Sequence, residues 1–287
     1  TIEQTYECMV KAVDEPEDNK GELEEKENPD DEPLLLPYQK QTVEFLRRRE
    51  QASAYCFGFE PVGDGAFYSP LLDRFVETAP SFVGGFLASE MGMGKTACAL
   101  NLCATSSGGT TLIVTPTSLL NQWYEESKRF CPGAKTLLYY GPKRKQVTKK
   151  QMLGCDVLLT TYGILRKDVL FASSPLCYQT FARVFFDKSH ALKGLGSATN
   201  ACARLVKARA KWMISATPIV TRMADLYAQQ RVLCPALPLT MWQSLFHQNT
   251  FGHVMASIGW RNSRSQRYRN TGAPLVDFGL LSHAKHY

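Results

Sequence analysis

Residues 82–102, FVGGFLASEMGMGKTACALNL, decide how the rest of the chain is read. The stretch opens with apolar β-forming residues, turns through closely spaced glycines, and ends in small and apolar residues at helical spacing. It predicts a buried strand, a tight loop over Ser89–Thr96, and a helix from Lys95. Strand, loop and helix in that order are what a phosphate-binding loop requires. Gly92 and Gly94 let the backbone turn and approach an anion with no Cβ in the way. The amides of Glu90, Met91, Gly92, Met93 and Gly94, with the positive end of the following helix, form an anion nest. Lys95 would reach the β- and γ-phosphates of a nucleotide, and the Thr96 hydroxyl would hold Mg2+. The general pattern has Ala or Gly at position 89, where this chain has Ser.

Working outward, apolar β-rich runs alternate with helical stretches. Strands are predicted at Phe82–Ala88, Thr111–Thr115, Thr136–Tyr140, Asp156–Thr161, Arg183–Phe186 and Trp212–Ser215. Helices are predicted at Lys95–Thr105, Ser118–Phe130, Ala198–Ala208 and Met223–Leu233. Alternation with continuously apolar strands implies an α/β fold: a mainly parallel sheet with helices on both faces. LLLPYQKQTVEFLRRRE, from Leu34, reads as an amphipathic helix begun by a proline. Residues 51–81 hold Gly58, Gly63, Gly65, Pro61 and Pro70 and read as a loop-rich insert. The ordered lobe is expected over 34–250, with 251–287 unassigned.

Charge divides the chain unevenly. Residues 1–33 hold thirteen acids against three lysines, a charge of −10, and the remainder carries +16. The acidic head lacks core-forming residues after Val13 and reads as a disordered tail. The basic body reads either as an ordinary solvated surface or as one that meets a polyanion such as nucleic acid. PKRKQVTKK, residues 142–150, suits DNA phosphates, a nuclear import signal or a plain solvated loop. No apolar run reaches 18 residues and no basic-then-apolar leader opens the chain, so neither a membrane span nor secretion is expected. Nine cysteines without a CxxC pair argue against a disulfide framework and against zinc. The chain starts at Thr1, which reads as a trimmed or incomplete product.

Further blocks carry chemistry. In RVFFDKSHALKG, Asp187 ends an apolar strand, where a doubly wound ATPase places its second Mg2+ ligand. Asp187 and His190 have the spacing of the DExH box of helicase-like proteins. KWMISATP resembles the third helicase motif, with Ser215, Ala216 and Thr217 coupling nucleotide state to nucleic-acid grip. TLIVTPTSLLNQWYEE and DVLLTTYGIL resemble motifs Ia and Ib. LLLPYQKQTVEFL resembles the adenine-side segment, with Gln39 as the base-reading residue.

In this order the blocks resemble the first lobe of a Swi/Snf-type DNA-translocating ATPase, a RecA-like fold with a P-loop. The LPYQ opening, the insert before the glycine loop and ATPIVTRMADLYAQQRVL are similar to the subgroup of helicase-like transcription factor and SHPRH. The resemblance spans roughly Leu34 to Phe246. It implies ATP and Mg2+ as cofactors, double-stranded DNA or chromatin as partner, a second helicase lobe, a nuclear setting, and work in remodelling or repair. It assigns catalysis to Lys95, Asp187 and His190. It assigns DNA contact to Thr115, Pro116, Thr117, Thr161 and Tyr162, whose hydroxyls suit phosphate oxygens; helix capping by Thr117 or Ser118 is the plainer alternative. His190 reads as the link to the third motif or as a satisfied buried histidine. Trp123 and Trp212 read as packing residues.

Three departures stand out. The glutamate that follows the aspartate in the family is Lys188 here, and a cation at neutral pH accepts no proton from water. Loss of a general base costs about 10²–10⁴ in rate, yet a cation near the γ-phosphate would tighten ATP binding. The second lobe, which supplies arginine fingers worth about 10³–10⁵, is not among these residues. Neither is a RING-like cysteine cluster. Ser89 and Met93 also stand where the family usually has Asp and Leu. The expectation is an ATP-binding lobe with little turnover, the alternative being a non-catalytic ATP-binding or protein-docking module.

Overall fold

The computed structural model describes residues 35–51, 54–55, 59–63, 65–69, 74–106, 108–170, 176, 179–220, 223–236 and 280–281. The acidic head and most of the 251–287 tail lie outside them. The chain divides into two compact units. The described part of the smaller one is an antiparallel meander of β2 (Glu60–Gly63), β3 (Ala66–Ser69) and β4 (Arg74–Val76). In the larger unit β1 (Ala54–Tyr55) pairs antiparallel with β5 (Ser81–Phe82). Short strands therefore occupy much of the segment whose glycines and prolines read as loop. Two to four residues between turn signals are too few to show a period.

The rest of the larger unit is a parallel sheet. Its strands are β6 (Gly84–Leu87), β7 (Thr111–Thr115), β8 (Thr136–Leu138), β9 (Val157–Thr161), β10 (Phe181–Asp187), β11 (Ala208–Ile214) and β12 (Leu280–Leu281). They lie in the order β12-β6-β11-β10-β7-β9-β8. The described helices are α1 (Pro37–Gln51), α2 (Lys95–Thr105), α3 (Leu120–Phe130), α4 (Lys149–Leu153), α5 (Tyr162–Leu170), α6 (Ala198–Leu205) and α7 (Met223–Leu233). Leu87, Ile113, Leu159, Phe185 and Trp212 join Leu46 of α1, Leu100 of α2 and Trp123 of α3 in one core. The intervening strand residues, Phe86, Leu112, Leu158, Phe186 and Met213, are equally buried. Side chains alternate along a strand, so these face the other side, where α5, α6 and α7 pack in succession. Burial on both faces explains why the strands read as unbroken apolar runs.

One residue interrupts that pattern. Lys211 lies mid-strand in β11 and is buried. Its Nζ donates to the carbonyls of Arg204 (3.3 Å) and Val232 (3.2 Å), near the ends of α6 and α7, where helix carbonyls lack intrahelical partners. Burial lowers its pKa from 10.5 to about 8. In the unfolded chain the group keeps its ordinary value. Between pH 8 and 10.5 the unfolded state therefore binds more protons, and stability rises with pH. Relative to Lys211→Met, the wild type should gain about 1.4 kcal/mol per pH unit across that window. Urea midpoints of both proteins at pH 7, 8, 9 and 10 measure this. Parallel curves would mean that Lys211 is not held as a buried cation.

Candidate functional site

Leu87, Ile214 and Asp187 stand in register across β6, β11 and β10. With strands about 4.8 Å apart, the end of β6 lies about 10 Å from the end of β10. The glycine loop follows Leu87 after a single alanine, so loop and carboxylate share the carboxyl edge of the sheet. This is where open α/β sheets hold their ligands.

The loop residues adopt the backbone their sequence permits. Gly92 has φ 83° and Gly94 has φ 72°, the left-handed region in which a Cβ is costly. A Cβ on Gly94 would also overlap the Gln39 side-chain amide. Gln39 Nε2 donates to the Met93 carbonyl (3.4 Å), and its Oε1 accepts from the Leu36 amide (2.9 Å). The residue read as a base reader is thereby seated against the glycine turn. Lys95 Nζ donates to the carbonyls of Ser89 and Glu90, both at 2.6 Å. Burial, and next the charge of Lys188, lower its pKa to about 8, while Asp187 opposes them. At neutral pH it remains mainly cationic. Thr96 is half-buried at the first turn of α2, and Met91 is exposed at the loop's crest.

Asp187 is buried and well supplied with donors. Its Oδ2 accepts from Trp123 Nε1 (2.8 Å) and Thr115 Oγ1 (3.0 Å), and its Oδ1 accepts from the Lys188 amide (2.8 Å). Its main-chain carbonyl accepts from the Tyr162 hydroxyl (2.7 Å). Burial, with Asp187 beside it, pushes the Tyr162 phenol well above its usual range, so it stays a donor. Thr96 and Asp187 are the residues that would hold Mg2+. Of about four acceptor positions on a carboxylate, three on Asp187 face protein donors, leaving room for a single further contact.

Lys188 has φ 51° and ψ 50°; it is the one non-glycine with positive φ among the described residues. His190 Nδ1 lies 3.3 Å from Ser215 Oγ, which also accepts from the Thr217 amide (3.2 Å). Burial, then Lys188 and Lys193, lower the His190 pKa below its ordinary 6.5, so the imidazole is neutral at pH 7. The turn between them continues into α7. Ser189 Oγ donates to Gln229 Oε1 (2.6 Å), and Gln229 Nε2 donates to the carbonyls of Pro218 (2.6 Å) and Asp225 (2.9 Å).

The structure thus brings Lys95, Thr96, Asp187, His190 and Ser215 to one sheet edge. It places the candidate DNA-contact residues in two groups. Thr115 is fully buried, with its hydroxyl on Asp187, and Thr161 Oγ1 accepts from the Ile164 amide (3.3 Å) at the start of α5. Pro116 is half-buried and Thr117 exposed. Ala216 is half-buried and Thr217 exposed. Nothing in the sequence pattern singles out Trp123 or Gln229. Trp123 sits where helical periodicity asks for a core residue, and it both packs and donates.

A family model described as the SNF2-related domain matches residues 38–269. DNA repair protein rad8 of Schizosaccharomyces pombe is 29% identical over 201 residues, 59% of this chain and 18% of its own length. The chromatin-remodeling ATPase INO80 of Arabidopsis thaliana is 32% identical over 175 residues, 54% of this chain and 11% of its own. The chain spans less than a fifth of either relative. The Sulfolobus solfataricus SWI2/SNF2 ATPase core, solved in complex with dsDNA, matches with a TM-score of 0.59 at 18% identity, over 86% of this chain and 44% of that one. That likeness is one of fold.

Proposed function

The chain belongs to the SNF2-related family, and on that premise we propose that residues 34–250 form the ATP-binding lobe of a DNA-dependent translocating ATPase acting in chromatin remodelling or DNA repair. The family implies use of ATP and Mg2+. One observation carries the reading for this chain: Asp187 ends β10 in register with the strand that feeds the glycine loop, and its charge acts on Lys95. Lys95 and the loop amides would take the phosphates, Gln39 the adenine side, and Thr96 with Asp187 the metal. When bound, Mg2+ supplies positive charge to the phosphate oxygens. His190, neutral and beside Ser215, would pass the state of the site to Ser215–Thr217. Pro116 and Thr117 would meet duplex DNA at the surface. A second lobe, on this or another chain, is the expected partner, and the nucleus the expected setting. The LPYQ opening and the ATPIVTRMADLYAQQRVL block favour the subgroup of helicase-like transcription factor and SHPRH.

Lys188 favours a chain that binds ATP and turns it over slowly. No carboxylate follows Asp187 to orient or deprotonate water, a loss of about 10²–10⁴ in rate. Phosphate release with ATP, Mg2+ and duplex DNA is therefore expected about 10²–10⁴-fold below the typical turnover of about 1–10³ per second. Brisk release would sink the hydrolysis-impaired reading. The second reading, a binding module with no catalytic machinery left, is separated by Lys188→Glu joined to a second lobe. Recovered turnover points to an intact motor, and none points to the module.

A further inference from the structure

We infer that the Lys188 ammonium takes over part of the countercharge that Mg2+ gives a bound triphosphate, so that this site holds nucleotide with little dependence on divalent metal. The inference rests on the ATP-site reading above. Its first support is position. Lys188 directly follows Asp187, and its amide is held on Asp187 Oδ1 at 2.8 Å. A left-handed backbone at a residue with a Cβ is costly and persists only where the surroundings hold it. The turn thus fixes the direction in which this side chain leaves, at the sheet edge that carries the glycine loop.

The second support is the inventory of charge. The charges of Lys188 and Asp187 both act on Lys95, and those of Lys188 and Lys193 act on His190. His190 itself is neutral. No ion pair to Lys188 occurs among the described residues. A cation with no acidic partner, next to a nest of amides, matches the terminal oxygens of a triphosphate. The third support is the state of Asp187. Trp123, Thr115 and the Lys188 amide occupy most of its acceptor capacity. The adjacent ammonium also repels a divalent cation. The same residue that disfavours the metal offers the phosphates a substitute, and a glutamate there would reverse both effects.

Titration of the full chain with a fluorescent ATP analogue, in excess Mg2+ and in EDTA, tests this. The two affinities are expected to agree within about threefold. Lys188→Gln should weaken binding in EDTA about tenfold and in Mg2+ by less than about threefold, as loss of one charge-assisted contact predicts. Lys188→Glu should make binding metal-dependent by more than about tenfold. The wild-type comparison needs no variant, and thermal unfolding checks that each variant is folded. A wild type that loses more than about tenfold in EDTA overturns the inference and leaves the ATP-site reading standing. So does a Lys188→Gln variant with unchanged affinity in EDTA. No binding in either buffer sinks the ATP-site reading itself, and the inference with it.

Discussion

Glu50→Ala is expected to destabilise the lobe by about 3–5 kcal/mol, the cost of leaving a buried charge unpartnered. Glu50 lies near the end of α1. Its carboxylate accepts from Arg183 Nε (2.8 Å), from Arg183 Nη2 (2.7 Å) and from Trp212 Nε1 (2.9 Å). The side chains are 14% and 7% exposed for Glu50 and Arg183. Arg183 Nη1 in turn donates to Thr111 Oγ1 (3.2 Å), so α1, β7, β10 and β11 meet at this cluster. Alanine would strand the guanidinium and orphan the indole. Urea unfolding should show the loss as a lower midpoint at an unchanged slope. Glu50→Leu combined with Arg183→Met should recover most of it, because an apolar replacement of both partners avoids the orphaned charge. A loss under about 1 kcal/mol would place the pair among ordinary surface bridges. The other end of α1 carries Gln39 against the glycine turn, so Glu50→Ala should also weaken nucleotide binding from the opposite edge of the sheet.

Lys95→Ala is expected to weaken binding of a fluorescent ATP analogue about 10–100-fold, with folding intact. A charge-assisted bond to phosphate is worth about 1.5–3 kcal/mol, and each 1.4 kcal/mol is a factor of about ten in affinity. In the structure the ammonium touches the Ser89 and Glu90 carbonyls of its own loop. Its removal therefore leaves the core unchanged. Lys207→Ala is the control, since Lys207 is exposed at the amino end of β11 and should leave affinity as it is. Equal affinity for wild type and Lys95→Ala would mean that no phosphate site exists.

The parallel sheet was largely legible because most of its strands are buried on both faces. Thr111–Thr115, Lys95–Thr105 and Met223–Leu233 stand where the apolar pattern puts them. β11 begins four residues earlier than its apolar run suggests, since Ala208–Lys211 carries two basic residues and Lys211 is buried only by virtue of carbonyls from two helices. α5 escapes notice because Gly163 sits in its first turn and the preceding TT reads as the end of a strand. The glycine loop and Asp187 were readable from local context alone. The partners of Asp187 were not: Thr115 and Trp123 lie 72 and 64 residues away, and only the pairing of β10 with β7 and the packing of α3 bring them together. Lys188 shows its identity in the sequence but not its left-handed backbone, which depends on the hydrogen bond from its amide to Asp187.

Gln229 is fully buried and grips Ser189 with its oxygen and Pro218 with its nitrogen. One planar amide is therefore a rigid crossbar between the chain leaving β10 and the chain leaving β11. With its oxygen held by Ser189 and its nitrogen held on Pro218 and Asp225, the crossbar has little slack. A tilt of the first turn must swing the second by a similar amount and drag the root of α7 along. Leucine in its place would fill the same volume and uncouple the two turns, letting each rock alone.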